Sequence, residues 1–182
     1  MIKISSKGME AAMPKQKSSK GFFSIAIAAL ILSAAAQSES TSSLRAVSVD
    51  PAELAAFKVA IRAKYDMKEA AFKANDVEPI INHFYSDSVI SVDSEGAVHR
   101  GRVGIRPVYE QVIGSFVAIE SYESFVNGNA GWDWVNFHVS FPPEAEMDPF
   151  SFKMLFLWEN IEGEWWSHGE MYVPGAFEIS SQ

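Results

Sequence analysis

"FVAIESYESFVNGNAGWDWVNFHVSF", residues 116–141, is the stretch whose reading decides the fold. Two β-prone runs with alternating polar and apolar side chains flank Asn127-Gly128. An Asn-Gly step readily takes the positive φ of a tight hairpin turn, so the stretch predicts two antiparallel strands. The same grammar repeats downstream. "PFSFKMLFLWEN" (149–160) leads to Glu162-Gly163, and "EWWSHGEMYV" (164–173) ends at Pro174-Gly175. The acidic "PPEAEMDP" loop (142–149) is longer than a hairpin requires, and reads as a lid or as a solvated connection.

Upstream, the period changes. Asp50-Pro51-Ala52-Glu53 starts a helix: Asp accepts from the first free amides, Pro suits the first turn and Glu53 closes a capping box. Leu54, Phe57, Ile61, Tyr65 and Phe72 then recur at helical spacing to about Ala74, where Asn75-Asp76 breaks the pattern. "VEPIINHFY" (77–85) predicts a short second helix, "SVISVD" (88–93) a strand, and Glu95-Gly96 a turn. Gly101 opens a third helix, in which Pro107 sits near the first turns or makes a kink. Helices first and strands second is the order of an α+β domain with helices packed on one sheet face. The strands carry aromatic residues on both faces, Trp132, Trp134, Phe137, Phe156 and Trp158 among them. Both faces must then be covered, one by the helices and the other by a second copy of the chain, which predicts a sheet-to-sheet homodimer.

Residues 1–36 read as a secretory leader. Lys15, Lys17 and Lys20 precede "GFFSIAIAALILSAAA", whose Ala34-x-Ala36 end predicts cleavage after Ala36. The apolar part falls short of the roughly 20 residues of a spanning helix, so no stable membrane span is expected after cleavage. Met9 and Met13 are alternative starts, and a retained anchor is the competing reading. Residues 37–49 form a Ser-rich flexible spacer, 50–176 one domain, and 177–182 a tail. Removing the leader takes away five lysines and one glutamate, leaving 10 basic against 22 acidic residues and a net charge of −12. Such a surface repels phosphate backbones, so nucleic acid is not expected as a partner. Without cysteine or an Asn-x-Ser/Thr sequon, a secreted or periplasmic domain rests on its core, with neither disulfides nor N-glycans.

The order of long helix, short helix, strand, helix and four long strands resembles the NTF2-like superfamily, which includes steroid-isomerase-like and SnoaL-like (DUF4440-type) domains. The echoes are "YDMKEAAFKANDVEPIINHFYSDSVISVDSEGAVHRGRVGIRPVYE" and "LWENIEGEWWSHGEMYV", within about residues 50–175. The resemblance implies an α+β, cone-shaped fold with three N-terminal helices packed on a curved antiparallel sheet. Carried over by position, the steroid isomerases' base falls on Asp93 and their tyrosine donor on Lys68. Their protonated acid falls near Met154 or Leu155, so authentic steroid isomerisation is not expected.

Asp93 has two readings. As a carboxylate on an apolar strand end, it would have a raised pKa and act as a general base. Alternatively it accepts a backbone amide in the Asp-Ser-Glu-Gly turn. Lys68 lies on the apolar stripe of the first helix. Either its stem packs while the ammonium reaches water, or it pairs with Asp93 inside a pocket. Strict alternation puts Trp166, His168, Glu170 and Tyr172 on one strand face, which the resemblance makes the cavity face. His168 and Glu170 form an acid–base couple there, or else a polar rim. Asp133, Val135, Phe137 and Phe141 point inward by the same logic, with Trp132, Trp134 and His138 on the dimer face. His83 and His99 serve packing or solvent. The catalytic candidates are thus Asp93, His168 and Glu170, and the binding candidates Lys68, Tyr65, Tyr172, Trp166, Phe137 and Asp133. No metal set and no cofactor motif is recognisable. The expected activity is cofactor-free proton transfer on a small apolar organic ligand. A binding or association module of the same fold, or a structural dimer filled by its own aromatics, are the alternatives.

Overall fold

The computed structural model describes residues 49–178. The leader, the spacer up to residue 48 and residues 179–182 lie outside these. Helix α1 (Pro51–Ala74) starts where Asp50 accepts from the Ala52 amide at 2.9 Å. It ends on Asn75 in the left-handed region (φ 57°), whose N–H meets the Ala71 and Phe72 carbonyls. Strands β1 (Tyr85–Val92) and β2 (Val98–Arg100) precede helix α2 (Gly101–Val112). Then come β3 (Phe116–Asn127), β4 (Ala130–Ser140), β5 (Phe150–Ile161) and β6 (Glu164–Pro174). The sheet runs β2-β1-β6-β5-β4-β3.

One expectation is refined and one corrected. The short second helix is present, as a single wide π-helical turn over Ile80–Phe84. Tyr85 is drawn into the sheet against Ser167 with its ring fully buried, and this pairing stops the helix early. The sheet is not wholly antiparallel. β1 runs parallel to β6, a long-range pairing that no local pattern announces, and the short β2 was not expected at all.

Helix α1 lies on the inner sheet face. Phe57 meets Trp165 at 4.8 Å between ring centroids, Tyr65 meets Phe156 at 5.6 Å, and Phe72 meets Phe137 at 6.2 Å. Each such buried side chain contributes roughly 1.5–3 kcal/mol. Gly131 sits beneath this contact: a Cβ there would come within 2.8 Å of the Phe125 carbonyl and 2.9 Å of Phe57 Cζ. The helix also closes the sheet edge. Glu69 accepts from the Ile119 amide at 2.7 Å, and Arg62, paired with Glu69 at 2.7 Å, donates to the Ile119 carbonyl. Edge strand β3 thus has backbone groups capped by side chains rather than left open to another strand.

The outer sheet face keeps the aromatic character read from the sequence. Phe125 and Trp132 stack at 5.6 Å. Leu157, Met171 and Val173 are 45, 43 and 47% exposed. Part of this face is covered by the chain itself. After β6, Gly175 (φ 111°) turns the chain back over the sheet, and Phe177 stacks on Tyr122 at 4.4 Å. Among the described residues no helix is long and apolar enough to cross a membrane.

Candidate functional site

The deepest polar cluster forms where α1, α2, β1 and β6 meet. Lys68 is seven residues beyond Ile61, on the buried stripe of α1, and is 0% exposed. Its Nζ donates to Tyr85 Oη at 2.6 Å and Tyr109 Oη at 2.7 Å, and lies 3.9 Å from Glu170 Oε2. The same carboxylate oxygen accepts from Tyr85 and, at 3.2 Å, from Tyr109. Glu170 Oε1 accepts from Ser91 Oγ at 2.8 Å. The rings of Phe84 and Phe156 add cation–π contact at 4.1 and 4.9 Å from Nζ. Burial lowers the Lys68 pKa to about 7, partly offset by the Glu170 charge. Burial first, then the same carboxylate, pushes both tyrosines well above their ordinary value. The cluster is a closed proton-sharing network, with an ammonium near its titration point among donors that keep their protons.

A second centre surrounds Asp133, which is also 0% exposed. Its Oδ2 accepts from Tyr65 Oη at 2.8 Å and Ser121 Oγ at 2.7 Å, and its Oδ1 from Ser124 Oγ at 2.7 Å. Ser121 and Ser124 are three apart and belong on opposite faces of a regular strand. A bulge between Ser121 and Glu123 brings both inward. Burial raises the Asp133 pKa against the pull of these donors. Beside Tyr65, Trp158 Nε1 is buried, and among the described residues it has no hydrogen-bond partner.

The structure places the sequence candidates as follows. Lys68, Tyr65, Asp133, Phe137 and Glu170 are inside and buried. Tyr172 is inward and half-buried against Phe152 at 5.0 Å, its pKa pushed up to about 12 by burial and by Glu170. Trp166 and His168 are corrected. An extra residue in β6 interrupts the ladder, which passes from Trp158↔Ser167 to Leu157↔Gly169. This bulge reverses the alternation, so Trp165 and Ser167 point in before it and Glu170 and Tyr172 after it. Trp166 pairs opposite Glu159, out of phase with Glu170, and its ring lies at the sheet margin under Lys64 of α1 at 4.5 Å and Arg102 of α2 at 5.3 Å. His168 Nδ1 lies 3.3 Å from both Glu159 Oε2 and Ser86 Oγ. The couple of His168 with Glu170 is therefore split between the two faces.

Asp93 is corrected as well. Its Oδ1 accepts from the Glu95 and Ala97 amides at 2.9 and 2.8 Å, and its Oδ2 lies 3.1 Å from His99 Nε2. The His99 contact, followed by these amides, lowers its pKa, where a raised one was expected. The turn reading describes its geometry, and the pairing of Lys68 with Asp93 is replaced by that of Lys68 with Glu170. Sequence reasoning missed Tyr85, Tyr109 and Ser91. Tyr109 follows Ile105 by four on the buried side of α2, a spacing that was available. Tyr85 and Ser91 join the cluster only through the β1–β6 pairing.

A groove of about 380 Å³ opens at the far end of β3, β4 and β5, lined by Phe116, Ala118, His138, Pro149, Phe150 and Ser151 among others. His138 Nδ1 lies 2.8 Å from Ser151 Oγ there. Among the described residues no group of three or more His, Cys, Asp or Glu could hold a metal ion.

A long helix over a curved six-stranded sheet, its interior closed by a second helix, defines an α+β cone. That cone is the NTF2-like fold, also called cystatin-like. An NTF2-like protein of unknown function from Pseudomonas putida is similar over 69% of this chain and 89% of its own, at 14% identity and TM-score 0.56. A ketosteroid isomerase-like protein from Erwinia carotovora atroseptica is similar over 69% and 98%, at 19% identity and TM-score 0.55. A protein designated a calcium/calmodulin-dependent protein kinase type II association domain, from Thiobacillus denitrificans, is similar over 63% and 94%, at 14% identity and TM-score 0.54. No protein-family model and no curated protein matches the sequence.

Proposed function

We propose that this chain is a non-catalytic association module of the NTF2-like fold, pairing with a second copy through the outer sheet face. One observation carries the reading: the ionisable groups of the interior are satisfied by one another. Lys68, fully closed to solvent, has Tyr85, Tyr109 and Glu170; Asp133 has Tyr65, Ser121 and Ser124. Asp93 and His168, the two groups that turnover would have needed beside Lys68, engage other partners. The outer face by contrast exposes contiguous apolar side chains from β5 and β6, the usual mark of an interaction surface. An association domain has the same fold, which fits this reading. The sequence echoes support a SnoaL-like, DUF4440-type placement within the fold, and the leader supports export with cleavage after Ala36. Sedimentation equilibrium tests the association: the chain should form a dimer, and Leu157→Asp should abolish it. A monomer at all accessible concentrations, both for the full chain and after removal of residues 176–182, refutes the reading. N-terminal sequencing of the exported protein tests the cleavage site.

A second reading has one specific observation in its favour. Four ionisable side chains converge in the cone interior, with Lys68 near pKa 7, and such clusters are concentrated at functional sites. In this reading the interior opens to hold a small organic molecule and moves protons through Lys68 and Glu170. Native mass spectrometry of the purified protein decides it: a co-purified small molecule that Lys68→Met releases supports it, and a bare polypeptide mass counts against it.

A further inference from the structure

The C-terminal segment behaves as a ligand of the chain's own sheet. Beyond Pro174 the ladder ends, Gly175 takes a φ of 111° that disfavours other residues, and its amide reaches the Ser151 carbonyl at 2.9 Å. From that hinge the chain crosses β5 and β4 towards β3. Asn136 points outward from β4 yet is only 2% exposed, because the segment covers it. Its side chain reads the backbone of Phe177 from both sides. The Phe177 amide donates to Asn136 Oδ1 at 2.6 Å, and Asn136 Nδ2 donates to the Phe177 carbonyl at 3.1 Å. The Phe177 ring enters an aromatic slot, stacked on Tyr122 at 4.4 Å with an interplanar angle of 11°. It meets Trp134 edge-on at 5.8 Å and lies under Lys153 Nζ at 5.2 Å. A backbone clamp and a ring slot together form a built recognition site for an aromatic residue in an extended chain.

We infer that this segment is a strap that holds part of the association face closed, so that a second copy must displace Phe177 before the two sheets can meet. The inference rests on the association reading above. The strap covers the aromatic part of the same face that Leu157, Met171 and Val173 leave open. It is tethered one residue beyond β6, so its local concentration far exceeds that of any second copy. The apparent affinity of the face is reduced by the fraction of time the strap is lifted.

Removal of residues 176–182 from the full chain tests this, alongside Phe177→Ala, which keeps the chain length. Both copies must lift their straps, so sedimentation equilibrium should show self-association about tenfold tighter or more in both variants, for a strap lifted about one-third of the time or less. A synthetic peptide of residues 174–182 should return the truncated chain towards monomer. An unchanged or weakened constant in both variants overturns the inference while leaving the association reading intact, provided the full chain associates. If the full chain and both variants stay monomeric throughout, the association reading fails and the strap falls with it.

Discussion

Lys68 Nζ faces Glu170 Oε2 at 3.9 Å across the inside of the cone, with side chains 0% and 1% exposed. The two come from elements a hundred residues apart, and Tyr85 and Tyr109 fill the space between them. Bringing an ammonium and a carboxylate out of water is costly unless hydrogen bonds offset it, and here the tyrosines accept two of the ammonium protons while they and Ser91 donate to the carboxylate. The consequences can be measured.

Lys68 should make stability rise with pH above neutrality. The folded chain releases this proton near pH 7, whereas the unfolded chain holds it up to the ordinary value of 10.5. Between those values the unfolded state binds more protons, so each pH unit adds up to about 1.4 kcal/mol to folding stability. Urea unfolding from pH 7 to 9.5, below the ordinary tyrosine range, should show this gain relative to Lys68→Met. Parallel pH profiles for the two proteins would refute the assignment.

Glu170→Gln should lower the Lys68 pKa further. The Glu170 charge is what holds that value up against burial, and the amide keeps the size of the side chain without the charge. NMR titration of the Lys68 side chain should place the midpoint below that of the parent. A midpoint that rises would mean the ammonium takes its support elsewhere.

The β6 bulge separates the fates of two residues only two apart. His168→Ala removes a side chain beside solvent and should change stability by less than about 0.5 kcal/mol. Glu170→Ala strips the buried ammonium of its counter-ion and should cost about 3–5 kcal/mol. Equal costs in chemical denaturation would contradict the phase reversal.

Asp133→Asn should destabilise the fold although it removes a buried charge. Three hydroxyls donate to this side chain, and an amide turns one acceptor into a donor facing them. A loss of about 1–3 kcal/mol is expected from thermal or urea unfolding. A gain would mean that relief from burying the carboxylate outweighs the hydroxyl contacts.

Gly131→Ala should weaken the docking of α1. The added methyl would press on the Phe125 carbonyl and the Phe57 ring, and backbone cannot yield as a flexible side chain can. A cost of about 1–3 kcal/mol is expected by calorimetry. Full recovery in the double variant Phe57→Leu, Gly131→Ala would assign the whole effect to the ring.

The sequence by itself determined the long helix and its start at Asp50, the hairpin at Asn127-Gly128, the inward row of Asp133, Val135 and Phe137, and the apolar outer face. All of these follow from periodicity and turn chemistry over a dozen residues or fewer. Glu53, read as closing a capping box, instead accepts from the Gly128 amide at 2.6 Å. Resemblance carried the fold as far as the cone. The tertiary structure alone decided the site. Whether Asp93 points in or caps its own turn depends on the neighbouring amides and His99. Whether His168 lies beside Glu170 depends on one extra residue in β6, which a period of two cannot reveal. Tyr85 and Glu170 are brought together at Lys68 by the β1–β6 pairing, a contact between strands some eighty residues apart that no local pattern encodes. Local sequence fixes which face a side chain takes within its element; only packing between distant elements fixes what it meets there.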